Sequence, residues 1–348
     1  MNQPLHSFNQ TAADWRGVLR ANTRKTYIVI GLFFLIYMML GMLVDVYVSS
    51  GRYPNTSLSD IFDALITGQL FPLATIVMIT VASASLLVTL IAHDKLMLLG
   101  TDYHEITPTT AQSVAEQQLY HVVEEMKIAA GLHFMPRVFI IEADYMNAFA
   151  SGYSEKSAMV AITRGLMQKL NRSEMQAVMA HELSHVCHLD IKLTLMASVL
   201  ANLTVMVLDL FFYNVIFSRR NSDNRSRDNL ASIIIILRYL LPIINVVLLL
   251  YLSRTREYMA DAGCVELMRD NQPLASALIK ISDDHQVNHS VYQEQYGQTP
   301  HENVRREAYI FDPTQAGISE GASLTSLFST HPSLQDRLAA LGFKNNGK

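Results

Sequence analysis

The chain has 348 residues, of which half are hydrophobic and 17% are charged, and its formal net charge is −4. Soluble domains carry about 25% charged residues, so this deficit indicates a membrane protein. The sequence contains no basic tract, which argues against a nucleic-acid-binding class. Its two cysteines, Cys187 and Cys264, have neither CxxC spacing nor a small-domain disulfide pattern, which favours a reducing compartment.

Four apolar runs are each long enough to cross a hydrocarbon core of about 30 Å as a helix. They cover residues 26–48, 66–92, 193–217 and 233–252. The first run is too long for the core of a signal peptide, so we expect it to remain as an anchor. A buried core helix is the alternative, especially for the last two runs, because each of these contains a charge.

Charges flanking the first run predict a cytoplasmic N-terminus by the positive-inside rule. Basic residues precede the run at Arg16, Arg20, Arg24 and Lys25, whereas the short loop after it carries only Arg52. Two crossings then return residues 94–190 to the cytoplasm. The loop between the last two runs, however, contains four arginines and would face outward. Either the first spans determine the topology, or the last hairpin enters the bilayer without crossing it.

Two charged residues lie inside this last hairpin, Asp209 in the third run and Arg238 in the fourth. Their depths below the connecting turn are similar, roughly 8–12 Å. An unpaired charge in hydrocarbon is costly, so we predict that they form an ion pair. Separate snorkelling of the two side chains is the alternative.

The segment between the second and third runs has a mixed α and β pattern. Helical periodicity starts at Ala111, and short β-rich stretches follow at Pro136–Glu142, in "NAFASG" and in "SAMVAITRGL". A further helix begins at Asn171, where Glu174 completes a capping-box pattern. We therefore expect a helix, a small sheet and a second helix that continues into the third run.

The motif HELSH at residues 181–185 lies on that second helix. His181 and His185 are four residues apart, so their imidazoles leave one face of the helix and reach a single Zn²⁺. Glu182 is adjacent and can accept a proton from a water molecule in the open position of the metal. A chance HExxH in a chain of this length occurs on the order of once in a hundred, so a third ligand is needed.

Two residues are candidates for the third ligand. His188 lies one turn beyond His185, where an ion held by the HExxH pair is usually out of reach, so we expect it to support the site or to lie at the membrane interface, with metal binding as the alternative. Glu257 follows the fourth run in "SRTREYMADAG", with Asp261 one turn further along. We expect Glu257 to bind the metal and Asp261 to accept the N–H of a ligand histidine. An ordinary solvated helix face is the alternative for this pair.

Four motifs in this order resemble those of the HtpX family, bacterial membrane zinc metalloproteases that are homologues of the CaaX prenyl endopeptidases. They are "NAFASG", "MAHELSHVCHLD", "SRTREYMADAG" and "STHPSLQDRLAAL", and the similarity covers most of residues 100–345. The resemblance implies a gluzincin-type peptidase with one Zn²⁺ per subunit. It assigns His181, His185 and Glu257 as ligands and Glu182 as the catalytic base.

The resemblance also points to further site residues. The segment Asn147, Ala148, Phe149 and Ala150 corresponds to a strand beside the active-site helix. An edge strand there would bind substrate through main-chain hydrogen bonds, whereas a plain core strand is the alternative. His331 is expected to donate to the oxyanion and Arg337 to pair with a carboxylate, unless this motif only starts a helix. Asp190 is expected to support the ligands or to anchor the helix at the membrane.

The predicted fold class is therefore mainly α with a small β-sheet, in a polytopic membrane protein that carries a gluzincin-like zinc peptidase domain. The expected parts are a polar cytoplasmic extension (1–25), two transmembrane helices (26–93), a peptidase part with the HExxH helix (94–190), a transmembrane hairpin (191–253) and a second peptidase part (254–348). The last part contains a long polar insertion at 285–319, for which a mobile flap and an ordered insertion are both open.

The predicted function is hydrolysis of misfolded or unassembled membrane proteins at the cytoplasmic face of the bacterial inner membrane, as part of a stress response. The lipid bilayer is an expected partner, nucleic acid is not, and self-cleavage is a further expectation. A dedicated processing peptidase of the prenyl-protease type is one alternative. A non-catalytic zinc-stabilised scaffold is another, although a structural zinc site needs no general base and normally closes its fourth position.

Overall fold

The computed structural model describes residues 8–10, 15–98, 101–152, 154–188, 201, 204–206, 208–209, 212, 225–299, 305–306, 308–318 and 331–345. By its internal contacts the chain divides into two compact units. The first comprises Met1–Thr26, Ile91–Lys192 and Leu250–Lys348, and the second comprises Tyr27–Leu90 and Leu193–Leu249. Helices predominate and the sheets are small, which confirms the predicted mainly α class.

The first two predicted spans are helical. Helix α1 (Trp15–Arg52) contains the first span, and α3 (Leu73–Leu98) covers most of the second. A short helix that the hydropathy pattern does not predict, α2 (Leu58–Ile66), lies between them. Ser57 caps α2 by accepting a hydrogen bond from the Asp60 N–H at 3.2 Å, which stabilises a helix too short to form from apolar periodicity alone.

A buried carboxylate ties α1 to α3. Asp45 of α1 accepts hydrogen bonds from the N–H groups of Ala74 and Thr75, at 2.7 and 2.9 Å. These N–H groups belong to the first turn of α3 and have no partner within their own helix. Gly41 permits the approach, since a Cβ there would lie 2.8 Å from Thr75 Oγ1. The α1–α3 pair is therefore held by polar contacts within an apolar surface.

Among the described residues one helical stretch, Ser232–Met268, is long and apolar enough to cross a membrane. It belongs to α7 (Arg225–Met268), which continues through Pro242. The sequence pattern separated a fourth span from a later helix with Glu257 and Asp261; the structure joins them in one helix. Most of the third predicted span lies outside the described residues, so the number of crossings stays a prediction.

The predicted ion pair within the last hairpin is present. Arg238 Nη2 lies 2.9 Å from Asp209 Oδ1. The Arg238 guanidinium also stacks over the ring of Phe212, with 4.6 Å between its central carbon and the ring centroid. Both contacts lower the cost of placing this cation among apolar residues.

The first unit contains a mixed four-stranded sheet in the order β2-β3-β5-β4. Its strands are β2 (Tyr103–Ile106), β3 (Arg137–Ile141), β4 (Ala148–Ser151) and β5 (Met159–Thr163). Strands β3 and β5 are parallel, whereas the other pairs are antiparallel. The three predicted strands are confirmed, and β2 is additional. A separate antiparallel pair joins β1 (Phe8–Gln10) to β6 (Phe343–Asn345).

Helices cover this sheet and carry most of the site. They are α4 (Val114–Ala129), α5 (Arg164–Lys169), α6 (Arg172–His188), α8 (Gln272–Val287), α9 (His289–Gln298) and α10 (Leu334–Ala340). Helix α6 packs against α4, α8 and β4, so it lies at the centre of the unit. The described part of the 285–319 insertion includes α9 and a 3₁₀ turn at Pro313–Ala316, which favours an ordered insertion over a mobile flap.

The predicted capping box fixes the start of α6. Asn171 Oδ1 accepts the Glu174 N–H at 2.9 Å, and Glu174 Oε2 accepts the Asn171 N–H at 3.0 Å. Ser276 and Lys280 of α8 also donate to the Glu174 carboxylate, at 2.6 and 2.7 Å. Burial of this carboxylate raises its pKa, but these bonds outweigh burial and hold the pKa below its ordinary value. The network sets the position of α6, and with it the position of the HExxH residues.

Candidate metal centre

Helix α6 presents two buried imidazoles one turn apart. His181 is fully buried and His185 nearly so. Their Nε2 atoms are 3.3 Å apart, and the two rings are almost perpendicular. Two nitrogens this close that face the same space are arranged to share one ligand.

The third member of the cluster comes from α7. The Glu257 carboxylate lies 3.6 Å from His181 Nε2 and 3.7 Å from His185 Nε2. An ion bound tetrahedrally at about 2.0–2.1 Å separates its ligand atoms by roughly 3.3–3.4 Å. The observed spacings, measured to Oε2 for His181 and to Oε1 for His185, therefore fit a metal ion bound by both imidazoles and the Glu257 carboxylate. Within the described part of the chain, these three residues form the one cluster of His, Cys, Asp and Glu side chains close enough to hold a metal.

A glycine allows α7 to come this close to α6. A Cβ added at Gly263 would lie 2.0 Å from Ser184 Oγ and 2.9 Å from Ser184 Cβ. Ser184 immediately precedes the ligand His185, and Gly263 lies less than two turns beyond Glu257. The glycine therefore determines how near the Glu257 carboxylate stands to the two imidazoles.

Asp261 orients one imidazole and is itself held by an arginine. Its Oδ1 lies 3.0 Å from His181 Nδ1, which fixes the proton on Nδ1 and leaves the Nε2 lone pair facing the cluster. Arg337 Nε and Nη2 donate to the two oxygens of Asp261, at 2.9 and 2.6 Å. Burial lowers the pKa of His181, yet Asp261 and Glu257 outweigh burial and raise it to about 9. These two carboxylates therefore favour positive charge at His181, whereas burial holds the pKa of His185 well below its ordinary value.

Glu182 lies next to the cluster, and neither of its buried oxygens has a side-chain hydrogen-bond partner. Its burial raises the pKa of the carboxyl to about 7, and the nearby Glu257 charge acts in the same direction. His181, Arg337 and the backbone of Ala150 in β4 act against this rise. A carboxyl whose pKa is close to neutral can both accept and return a proton at physiological pH.

His331 and Arg256 complete the buried surroundings of Glu257. His331 Nε2 lies 3.8 Å from Glu257 Oε1, and the His331 side chain has no exposed surface. Arg256 Nη2 lies 3.7 Å from the same oxygen. The sequence did not identify Arg256 as a site residue, because an arginine next to Glu257 is expected to lie on a solvated helix face. Arg337 pairs with a carboxylate, as the THPS motif predicts.

Residues 113–343 match the sequence profile described as Peptidase family M48. The chain belongs to peptidase family M48. It is a metalloprotease, and the resemblance seen in the four motifs is confirmed by its relatives. A protein named "Protease HtpX homolog" from Helicobacter pylori (strain J99) is 38% identical, over 94% of this chain and 98% of that one. Another of that name from Streptococcus agalactiae is 31% identical, over 93% and 97%. The crystal structure of Ste24p from S. mikatae aligns over 97% of this chain and 68% of that chain, with 18% identity and a TM-score of 0.46.

His188, the other candidate for the third ligand, is not part of the cluster. It is half-buried, and its Nδ1 lies 2.7 Å from the carbonyl oxygen of Ser184. Cys187, on the same helix, is exposed. Asp190 lies outside the described residues, so its role stays a prediction. None of these positions changes the set of three ligands.

The predicted substrate strand is present but differs from the expectation in two ways. Strand β4 runs from Ala148 to Ser151, so Asn147 precedes it. All four residues of β4 are buried, as a core strand would be. β4 is the last strand of its sheet, but its outer edge is not open: the N–H of Ile310 donates to the carbonyl of Ala148 at 2.9 Å. Sequence reasoning missed this contact because it joins segments about 160 residues apart.

Proposed function

We propose that this M48 metalloprotease is a zinc-dependent endopeptidase of the bacterial inner membrane. In this proposal it cuts misfolded or unassembled membrane proteins at the cytoplasmic face, in a stress response, and it binds one Zn²⁺ per subunit. The observation that carries the proposal is the convergence of His181, His185 and Glu257 beside the unpaired Glu182 carboxylate. A structural metal would need no such base and would normally have a fourth protein ligand.

Each residue has a distinct role in the proposed hydrolysis. When bound, zinc supplies Lewis acidity, which makes a water molecule more acidic and polarises a peptide carbonyl. Glu182 accepts the proton of the attacking water and returns it to the departing amine. Asp261 keeps His181 in the tautomer that binds through Nε2. In this proposal His331 donates to the oxygen that becomes negative at the scissile carbonyl.

The membrane part of the proposal is supported by helix α7. This helix carries both a stretch apolar enough to cross a membrane and the candidate ligand Glu257. We propose that residues 26–93 and 191–253 lie in the membrane and that residues 94–190 and 254–348 lie in the cytoplasm, in line with the basic residues before the first span. Unfolded membrane proteins are then substrates at the bilayer surface, and copies of this chain are substrates for self-cleavage.

The experiment is the substitution Glu182→Gln in the full chain, purified in detergent. We expect the variant to keep about one zinc per chain and to lose cleavage of casein by a factor of about 10² to 10⁴. Glu124→Gln is the matched control, because Glu124 is an exposed carboxylate on α4. Cleavage of casein by Glu182→Gln at the wild-type rate would contradict the proposed mechanism. Many casein fragments support a broad endopeptidase, whereas a single defined cut would favour a processing peptidase.

A further inference from the structure

The outer edge of β4 is occupied by a short piece of the same chain, Ala308–Asp312, which we name the return segment. The backbones of Phe149 and Tyr309 face each other in an antiparallel bridge. Beside this bridge, the Ile310 N–H donates to the Ala148 carbonyl at 2.9 Å. The return segment thus lies against β4 as an added antiparallel strand would, on the side opposite β5.

Side chains of the site hold the main chain of the return segment. The Asn147 amide donates from Nδ2 to the Phe311 carbonyl at 2.9 Å and accepts the Phe311 N–H on Oδ1 at 3.3 Å. Arg337 Nη1 donates to the Ile310 carbonyl at 2.6 Å. All of these bonds are made to backbone atoms, so they would hold any extended peptide regardless of its side chains. This is the kind of contact a protease of broad specificity needs.

The return segment also lies next to the residues of the candidate metal centre. The same Arg337 Nη1 that binds Ile310 lies 3.8 Å from Glu257 Oε2, and the rest of this guanidinium binds Asp261. On β4, the backbone of Ala150 is close enough to Glu182 to influence its pKa. An extended peptide that is to reach Glu182 along β4 therefore needs the space that the return segment fills.

We infer that the return segment is an internal occupant of the peptide-binding site, so that a substrate binds along β4 only after this segment leaves it. This inference rests on the proposed endopeptidase function. It identifies an autoinhibitory contact and gives Asn147 and Arg337 a second use, as the groups that hold the substrate main chain once the segment is displaced.

The buried side chains of the return segment make its release from β4 unfavourable when no substrate is bound. Tyr309 packs in an aromatic cluster and its hydroxyl lies 3.3 Å from that of Tyr145. The Phe311 ring contacts the His285 ring, with centroids 4.7 Å apart. A substrate has to compete with these contacts, so basal cleavage is slow and rises when the segment is loosened.

The first test is Ile310→Pro in the zinc-loaded full chain, with Ile310→Val as the matched control. Proline removes the N–H that binds Ala148, whereas valine keeps it and trims the side chain. Loss of this one main-chain hydrogen bond should make release of the return segment easier. We therefore expect kcat/KM for fluorescein-labelled casein to be about five- to tenfold higher in Ile310→Pro than in Ile310→Val. A folded, zinc-loaded Ile310→Pro that cleaves no faster than Ile310→Val would overturn the inference.

A second measurement decides the question if Ile310→Pro does not fold. Hydrogen exchange of residues 308–312 is followed in Glu182→Gln with and without an excess of casein, which this variant binds but does not cut. Faster exchange with casein supports release of the segment; unchanged or slower exchange contradicts it. Failure of the wild type to cleave casein, or cleavage by Glu182→Gln, would instead refute the underlying endopeptidase function, so the two failures are distinguishable.

Discussion

The contact between Asp261 and His181 makes a quantitative prediction about metal affinity. Asp261 Oδ1 lies 3.0 Å from His181 Nδ1, and both its oxygens accept bonds from Arg337. In Asp261→Asn one oxygen becomes an NH₂ group. At the Oδ1 position this donor faces both the imidazole N–H and Arg337 Nη2, and at the Oδ2 position it faces Arg337 Nε. At least one charge-assisted contact is lost in either orientation, and the negative charge that compensates buried Arg337 is lost as well.

Changes to a residue that orients a metal-binding histidine usually weaken metal binding 10- to 100-fold. We expect Asp261→Asn to fall in this range, which corresponds to about 1.4–2.7 kcal/mol. The assay is competition between the protein and a chelating dye for Zn²⁺ in detergent. Glu266→Gln is the matched control, because Glu266 lies on the same helix, more than one turn further along, and is not part of the cluster. A folded Asp261→Asn with zinc affinity within twofold of the wild type would refute the argument.

Three further predictions concern packing, pH and the membrane hairpin. Gly263→Ala should destabilise the chain by about 1–3 kcal/mol and reduce its zinc content, because the added Cβ meets Ser184. Adding Ser184→Gly to this variant should restore both the stability and the zinc content. A double variant without this recovery would refute the argument that Gly263 permits the close approach of the two helices. Burial lowers the pKa of His285 to about 4, so the unfolded chain takes up a proton first as the pH falls from about 6.5 to 4. Up to about 3 kcal/mol of stability should be lost over that range in urea unfolding, and His285→Asn should lose less; equal losses would contradict it. Asp209→Asn and Arg238→Gln should each destabilise nearly as much as the double variant, whereas strict additivity would exclude the ion pair.

Much of the local structure follows from sequence because local forces determine it. Asn171 and Glu174 form a capping box three residues apart, and the spacing of His181 and His185 places both imidazoles on one helix face wherever that helix lies. The three strands identified from β-branched and apolar runs are equally local features. Such patterns depend on a few neighbouring residues and can therefore be predicted from the sequence.

Other features depend on contacts between residues far apart in the sequence and cannot be predicted from local patterns. Strand β2 has four residues and a half-polar pattern, and it is a strand because it pairs with β3. Helix α7 contains Pro242 and continues beyond residue 252, the end of the predicted fourth span, whereas composition alone favoured a separate helix for Glu257. Within an apolar helix, neighbouring groups can satisfy the carbonyl that a proline leaves unpaired.

The occupied edge of β4 is the clearest case of a contact that sequence does not predict. The residues of the return segment lie inside a polar insertion, and nothing in their own pattern identifies Asn147 or Arg337 as partners. Substrate binding along β4 stays a prediction, and the contact that the sequence does not reveal is the return segment along the outer edge of this strand. Only the assembled unit places all three elements together.

The central claim is that helices α6 and α7 share one zinc ion, and the zinc content of Glu257→Ala tests it most directly. The wild-type chain and the control Glu266→Ala should each bind about one zinc per chain by elemental analysis after exhaustive dialysis. Glu257→Ala should retain a small fraction of that amount, because two histidines alone hold zinc weakly. Wild-type zinc content in folded Glu257→Ala would contradict the shared site.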